Sequence, residues 1–197
     1  ILQSVSAHTH VVPFNVLTVL RRLLEERGDS IACLILEPVM MNIGICQPQP
    51  GYLQGLKDLL HEFGALLIFD EVKSGATVAY GGAVERYGVV PDLACWAKAI
   101  CGGTPGAAFG GRGDVMDTIG RGAAQQGTFN GNPLVAAAGL ATLTEVMTRD
   151  AYAYLADLGQ LPFFAAAALA VYSLARKLQI DGRLALLAAC LFTMVPN

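Results

Sequence analysis

The stretch GALLIFDEVKSG, residues 64–75, decides the fold class of this 197-residue chain. Its apolar run from Leu66 to Phe69 has no polar alternation, and glycines bound the stretch on both sides. Such a short, continuous run predicts a strand of a parallel sheet that is covered on both faces. The run ends in two carboxylates, Asp70 and Glu71. The strand would place them at the carboxyl edge of the sheet, where ligands bind in open α/β folds.

Two interpretations of Asp70 stay open at this point. A carboxylate at a rigid strand end is suited to hold a cationic group of a ligand. Equally, Asp70 could cap the next segment or pair with a nearby base, as such residues do in many folds. A single strand that ends in Asp-Glu does not decide between them.

The segments around this strand alternate between helical and strand patterns. Amphipathic spacing predicts two helices, at 16–27 and 52–63. Apolar runs predict three more strands, at 31–36, 91–96 and 109–111. This order is typical of a largely parallel α/β sheet. Asn132 and Pro133 then predict the cap and first residue of a helix that extends to about Arg149.

The composition argues against several classes of function. The formal net charge is −3, and the Lys and Arg residues are spread along the chain, so we expect no nucleic-acid partner. The five cysteines are an odd number and form no C-x-x-C pair. Because they lie mostly inside apolar runs, they predict reduced core thiols of an intracellular, cytoplasmic protein, without a disulfide framework or a zinc site. We expect no metal site, since His8 and His10 alone are a weak signal.

The composition changes near the end of the chain. The runs 161–175 and 184–197 are almost wholly apolar, but each is shorter than the roughly 20 residues of a membrane-spanning helix. Two interpretations stay open, namely two buried helices of a larger core or the start of a membrane hairpin. The apolar surface on all sides of these predicted helices favours membrane contact. We predict a domain over 1–158 and an apolar helical tail over 159–197.

Two further segments carry chemistry that complements Asp70. Lys98 follows the third predicted strand, and a glycine turn after it would let its amine enter the same crevice, although most such lysines are solvated. The stretch GTFNGNP, residues 127–133, combines the Thr128 hydroxyl with glycines and the N–H groups of a helix start, which suit a phosphate. A carboxylate for a ring nitrogen, an amine for an aldehyde and a phosphate site together predict pyridoxal phosphate.

From about residue 8 to about residue 158, the chain resembles the class III aminotransferases, which are fold type I pyridoxal-phosphate enzymes. Within them it is most similar to the glutamate-1-semialdehyde 2,1-aminomutase group. Five motifs carry the resemblance: CLILEPVMMN (33–42), EFGALLIFDEV (62–72), YGVVPDLACWAKAICGG (87–103), FGGRGDVMD (109–117) and GTFNGNPLVAAAG (127–139). The step of 28 residues from Asp70 to Lys98 also matches the family. The resemblance implies part of the large cofactor-binding domain.

The resemblance implies roles for five residues. Lys98 would be the catalytic lysine, which bonds to the aldehyde of the cofactor and moves protons during the reaction. Asp70 would pair with the pyridine nitrogen, and Val72 would pack on one face of the ring. Thr128 would bind the phosphate across a homodimer interface, and Asn42 would lie near the ring.

The chain departs from the family pattern beside these residues. Lys73-Ser74 stands where many relatives have an uncharged residue and a threonine, Trp96 stands where smaller residues are common, and Cys101 stands at a usual glycine or serine position. The family's first half and final domain match no segment here. We therefore expect part of a longer enzyme, with weak or no activity of its own.

The sequence is compatible with three functions. We expect amino-group transfer of the aminomutase type, on a short amino-aldehyde acid. A class III transaminase that acts on another amino acid or amine is the first alternative. The second alternative is a non-catalytic fragment whose apolar tail, 161–197, docks on a membrane or on a partner.

Overall fold

The computed structural model describes residues 6–128 and 130–157, and it contains one four-stranded sheet in the order β1-β2-β3-β4. The strands are β1 (Cys33–Leu36), β2 (Leu66–Asp70), β3 (Leu93–Trp96) and β4 (Ala108–Gly111). β1, β2 and β3 pair in parallel, whereas β4 runs antiparallel to β3. The prediction of a mostly parallel α/β sheet is confirmed.

One α-helix of the first unit precedes β1, and the others lie between or after the strands. These helices are α1 (Leu17–Arg27), α2 (Tyr52–Glu62), α3 (Gly82–Tyr87), α4 (Gly113–Met116) and α5 (Pro133–Ala141). Both predicted amphipathic helices are present as α1 and α2. The helix predicted from Pro133 to about Arg149 is shorter, because α5 continues as a π-helical turn, Thr142–Val146. The Thr142 hydroxyl donates to the carbonyl of Ala138 at 2.7 Å, and such hydroxyls compete with regular helical bonding.

The hydrophobic core lies on the face of the sheet that α1 and α2 cover. Leu67 and Phe69 of β2 are fully buried in it. Both helices contribute leucines at helical spacing, namely Leu20, Leu24, Leu53, Leu56, Leu59 and Leu60. This packing explains the amphipathic pattern of both helices, because their apolar stripes meet the same strand face.

The opposite face of the sheet is largely exposed in the part of the chain that the structure describes. Ile35 of β1 is 61% exposed and Phe109 of β4 is 49% exposed. Ile68 and Asp70 of β2 lie on this face and are half-buried. The prediction that β2 is covered on both faces is therefore wrong for the described residues. An apolar run indicates burial, but it does not say which other segment supplies the cover.

A buried carboxylate joins two strands at the amino edge of the sheet. Asp92 precedes β3 and accepts hydrogen bonds from the Leu67 N–H at 2.8 Å, from Arg112 at 2.9 Å and from His61 at 2.9 Å. Although burial favours the neutral acid, these donors lower the pKa of Asp92 to about 2. Asp92 therefore stays ionised and fixes the start of β3 against β2.

Contacts divide the chain into two compact units, Ile1–Met147 and Thr148–Asn197. In the second unit, residues 149–157 are helical. The apolar runs 161–175 and 184–197 lie outside the described residues, so their interpretation and the predicted boundary at 158 stay predictions. Of the helices that the structure describes, none is long and apolar enough to cross a membrane.

Candidate active site

The carboxyl ends of β2 and β3 bring Asp70 and Lys98 to one edge of the sheet. Asp70 is the last residue of β2 and is in register with Cys95 of β3. Lys98 follows Cys95 by three residues. Since paired strands lie about 4.8 Å apart, the two residues come from neighbouring positions at that edge.

Asp70 has one carboxylate oxygen occupied within the fold. Its Oδ1 accepts a hydrogen bond from the Val72 N–H at 3.1 Å, and the Cys95 Sγ lies 3.9 Å from the same oxygen. Among the described residues, Oδ2 has no hydrogen-bond partner. The local turn is the structural role considered for Asp70 from sequence, and it is compatible with a ligand role because the two use different oxygens.

The thiol of Cys95 stays protonated beside this carboxylate. Burial and the negative charge of Asp70 raise the pKa of the Cys95 thiol. A protonated thiol has a single weak donor, and the Cys95 Sγ lies 3.8 Å from the Phe69 carbonyl oxygen and 3.9 Å from the Asp70 Oδ1, so the Val72 N–H is the stronger hold on that carboxylate. The prediction that the cysteines are core thiols holds for Cys101, which is buried, whereas Cys33 is exposed and Cys46 and Cys95 are half-buried.

Lys98 has an unusual backbone conformation, with φ at 56°. A non-glycine residue in this left-handed region costs about 1–3 kcal/mol, and such residues cluster at functional sites. Lys98 begins a 3-10 turn, Lys98–Cys101, against which α5 packs. A Cβ on Gly139 of α5 would lie 3.3 Å from the Cys101 Sγ, so this packing is close. Within the described structure, the Lys98 side chain is exposed and its amine makes no hydrogen bond.

Glu71, the neighbour of Asp70, has a structural role that the sequence patterns did not predict. Its carboxylate is buried and accepts hydrogen bonds from the Ala83 N–H at 3.0 Å and from the Ser74 hydroxyl at 2.9 Å. Burial raises the pKa of Glu71. A Cβ on Gly82, whose φ is 63°, would lie 2.8 Å from the Glu71 Oε1. Glu71 thus anchors the segment 74–83 to the end of β2, and the glycine pair at 81–82 was its only sequence signal.

Asn42 lies in the loop after β1 and is tied to the segment after β2. Its Oδ1 accepts a hydrogen bond from the Lys73 Nζ at 2.6 Å. Glu37 holds the same loop, because its carboxylate accepts from the Met41 N–H at 3.2 Å. Glu37 therefore has a structural role in the turn that follows β1. The Lys73–Asn42 contact places Asn42 at the same edge as Val72, which is half-buried.

Thr128 lies in an exposed turn four residues before the cap of α5. No hydrogen bond among the described residues links it to the other four predicted site residues. The expectation of free N–H groups at the start of α5 is wrong in part, because the Asn132 Oδ1 accepts from the N–H groups of Leu134 and Val135. An asparagine cap satisfies the donors that an anion would otherwise use.

Other kinds of site are less well supported. No group of three or more His, Cys, Asp and Glu side chains within the described ranges could hold a metal ion. A depression of about 390 Å³ lies beside the end of α1 and is lined by residues 24–30 and Phe63. These residues precede β1 and β2, so the depression lies away from the edge that carries Asp70 and Lys98.

Comparison with known proteins identifies relatives over most of the chain. The family model described as aminotransferase class-III matches residues 5–162. A glutamate-1-semialdehyde 2,1-aminomutase from Anaeromyxobacter sp. (strain Fw109-5) is 51% identical over 147 residues, which are 74% of this chain and 34% of that protein. The chain thus spans about a third of the length of the curated relatives it matches.

Solved structures agree with this similarity. A glutamate-1-semialdehyde aminomutase variant from Pseudomonas aeruginosa PAO1, in complex with PMP, has a TM-score of 0.68 and 29% identity. That match covers 87% of this chain and 39% of the solved one. A transaminase with PLP bound has a TM-score of 0.78 and 29% identity, over 88% of this chain and 41% of that one.

Proposed function

Because the chain belongs to the class III aminotransferase family, we propose that it is part of a pyridoxal-phosphate-dependent enzyme that moves amino groups, of the glutamate-1-semialdehyde 2,1-aminomutase type. The observation that carries this proposal is the register of β2 with β3, which brings Asp70 and Lys98 to one sheet edge. The similarity to curated aminomutases supports the subclass.

The residues at this edge fit the cofactor. Asp70 would offer Oδ2 to a cationic ring nitrogen, while the Val72 N–H holds Oδ1. The amine of Lys98 is exposed and makes no hydrogen bond with the described residues. Val72 offers an apolar surface beside Asp70.

Pyridoxal phosphate, when bound, supplies an aldehyde that combines with amines and a ring that withdraws electrons from the substrate. The negative charge of Asp70 favours a proton on the ring nitrogen. The Lys98 amine would accept a proton from the substrate carbon and return it at another position, as a general base and then a general acid. Thr128 would donate its hydroxyl hydrogen to the phosphate.

The test is reduction of the purified chain with borohydride in the presence of pyridoxal phosphate, followed by peptide mass mapping. The chain has four lysines, Lys57, Lys73, Lys98 and Lys177, so the labelled position can be assigned. We expect the adduct at Lys98, its loss in Lys98→Ala and its retention in Lys57→Ala. Labelling spread over all four lysines, or none, would overturn a formed site in this chain.

The substrate is a separate part of the proposal. We propose a short amino-aldehyde acid, and a transaminase acting on another amino acid or amine is the second candidate, favoured by the similarity to a PLP-bound transaminase. Incubation of the complete enzyme, of which this chain is proposed to be a part, with each substrate class distinguishes them, since an aminomutase needs no separate amino acceptor. We expect weak or no turnover from this chain alone, and rapid turnover would contradict that expectation.

We also propose a homodimer in the cytoplasm, with Thr128 serving the site of the partner. The exposed position of Thr128 supports this, because a residue that acts across an interface need not contact its own site. Light scattering of the purified protein tests it, and a monomer at micromolar concentration would contradict the dimer. Contact of residues 161–197 with a membrane also stays a proposal, tested by flotation with lipid vesicles.

A further inference from the structure

One side-chain hydrogen bond joins two loops at the carboxyl edge of the sheet. The Lys73 Nζ donates to the Asn42 Oδ1 at 2.6 Å, across 31 positions of sequence. Lys73 is half-buried, and its backbone carbonyl accepts a hydrogen bond from the Thr77 hydroxyl. Hydrogen bonds therefore hold Lys73 both at its backbone and at the ammonium end of its side chain.

The chemistry of this pair fixes which way the amide of Asn42 is turned. An ammonium group has donors only, so the oxygen of an amide can face it and the nitrogen cannot. Among the described residues, the Asn42 Nδ2 has no hydrogen-bond partner. The two N–H donors of the amide are thus left for an acceptor on the side away from Lys73.

Backbone hydrogen bonds close the loop that carries Asn42. Met40 and Cys46 exchange two backbone hydrogen bonds of 3.0 Å at its base. Glu37 accepts from the Met41 N–H inside it. Asn42 itself is exposed, and among the described residues the hydrogen bond from Lys73 is the contact that restricts rotation of its side chain.

We propose that Lys73 is a positioning residue, which holds the oxygen of the Asn42 amide toward its own ammonium group and so keeps the two N–H donors available to a ligand bound at the edge that carries Asp70 and Lys98. The acceptor for those N–H groups would be an electron-rich oxygen of the bound cofactor or substrate. This inference rests on the proposed function. It assigns a role to a charged residue at a position where the resemblance leads us to expect an uncharged one.

A double-mutant cycle tests the coupling. The variants are Lys73→Met, Asn42→Ala and the pair, with Lys57→Met as the matched control from α2 and Lys73→Arg as the conservative variant. We expect Lys73→Met to raise the Kd for pyridoxal phosphate about three- to tenfold, the size expected when one neutral hydrogen bond from Asn42 to the bound group is lost. In the Asn42→Ala background the same change should have little effect, and Lys73→Arg should keep most of the affinity.

A second measurement needs no cofactor. The side-chain amide signals of Asn42 in ¹⁵N–¹H spectra, assigned by their loss in Asn42→Ala, should shift in Lys73→Met and stay in place in Lys57→Met. Thermal midpoints check that each variant is folded. Unmoved signals, or equal losses of affinity in both backgrounds, would overturn the role of Lys73. If the wild-type chain forms no adduct at Lys98, the proposed function fails and this inference fails with it, whereas a normal adduct with an uncoupled Lys73 overturns this inference alone.

Discussion

The two faces of the sheet differ in what covers them and in what they carry. On the helix-covered face, Leu67 and Phe69 are fully buried and hold α1 and α2 to the strands. On the open face, Ile35 and Phe109 are largely exposed, and Asp70 lies at the edge of this same face. The residues that stabilise the fold and the residues of the candidate site therefore lie on different faces of the sheet. The core is on one side of β2, and the candidate site is on the other.

Truncation of a side chain to alanine should lower the free energy of unfolding much more on the helix-covered face than on the open face. Phe69→Ala should lower the free energy of unfolding by about 3–5 kcal/mol, because it removes a fully buried ring and leaves a cavity. The matched change on the open face is Phe109→Ala, which should cost less than about 1 kcal/mol. Urea denaturation followed by circular dichroism measures both. Equal losses would show that the two faces are packed alike.

The pH dependence of stability tests the amino edge, where Asp92 joins β2 to β3. The pKa of Asp92 is about 2 in the fold and about 3.9 in an unfolded chain, so its ionised form stabilises the fold above pH 4. That contribution, about 2 kcal/mol, is lost as the pH falls from 4 to 2. Unfolding free energies between pH 6 and pH 2 should therefore fall more steeply in the wild type than in Asp92→Asn. Parallel curves would contradict the role of Asp92.

A substitution at Gly82 tests how closely the backbone packs against the Glu71 carboxylate at the carboxyl edge of the sheet. Gly82→Ala should cost about 1–2 kcal/mol from its left-handed backbone alone, and its Cβ would also press on the Glu71 carboxylate. Gly88→Ala is the matched control, since the φ of Gly88 is 69° and no atom lies within 4 Å of the added Cβ. Thermal melting of both variants measures the difference. If Gly88→Ala costs as much, the space beside Glu71 is not the cause.

The smallest effect is expected at an exposed strand position on the open face of the sheet. Ile35→Thr should change the free energy of unfolding by no more than about 0.5 kcal/mol, because this side chain is 61% exposed and threonine keeps β-branching. It should also reduce self-association in light scattering, since it removes apolar surface. A loss above about 1 kcal/mol would indicate that something in the purified protein covers this face.

The sequence predicts well the order of the helices and strands and the strand ends that carry Asp70 and precede Lys98. Apolar runs and amphipathic spacing are local signals, so they can be interpreted without knowledge of the rest of the fold. Prediction from sequence fails where the outcome depends on distant parts of the chain. The pattern at 109–111 does not show that β4 runs antiparallel, and the run from Leu66 to Phe69 does not show that one face stays open. The Lys73–Asn42 contact joins residues 31 positions apart, so no local pattern could reveal it.

The conformation of Lys98 sets a cost in stability against the role that we propose for its amine. Its φ of 56° is one that glycine adopts at little cost and that other residues adopt under strain. Stability alone would favour glycine there, whereas the proposed bond to the cofactor needs the amine of a lysine. A relative that lacks the proposed reaction would gain stability from glycine in place of this lysine, so a glycine at this position would mark such a relative.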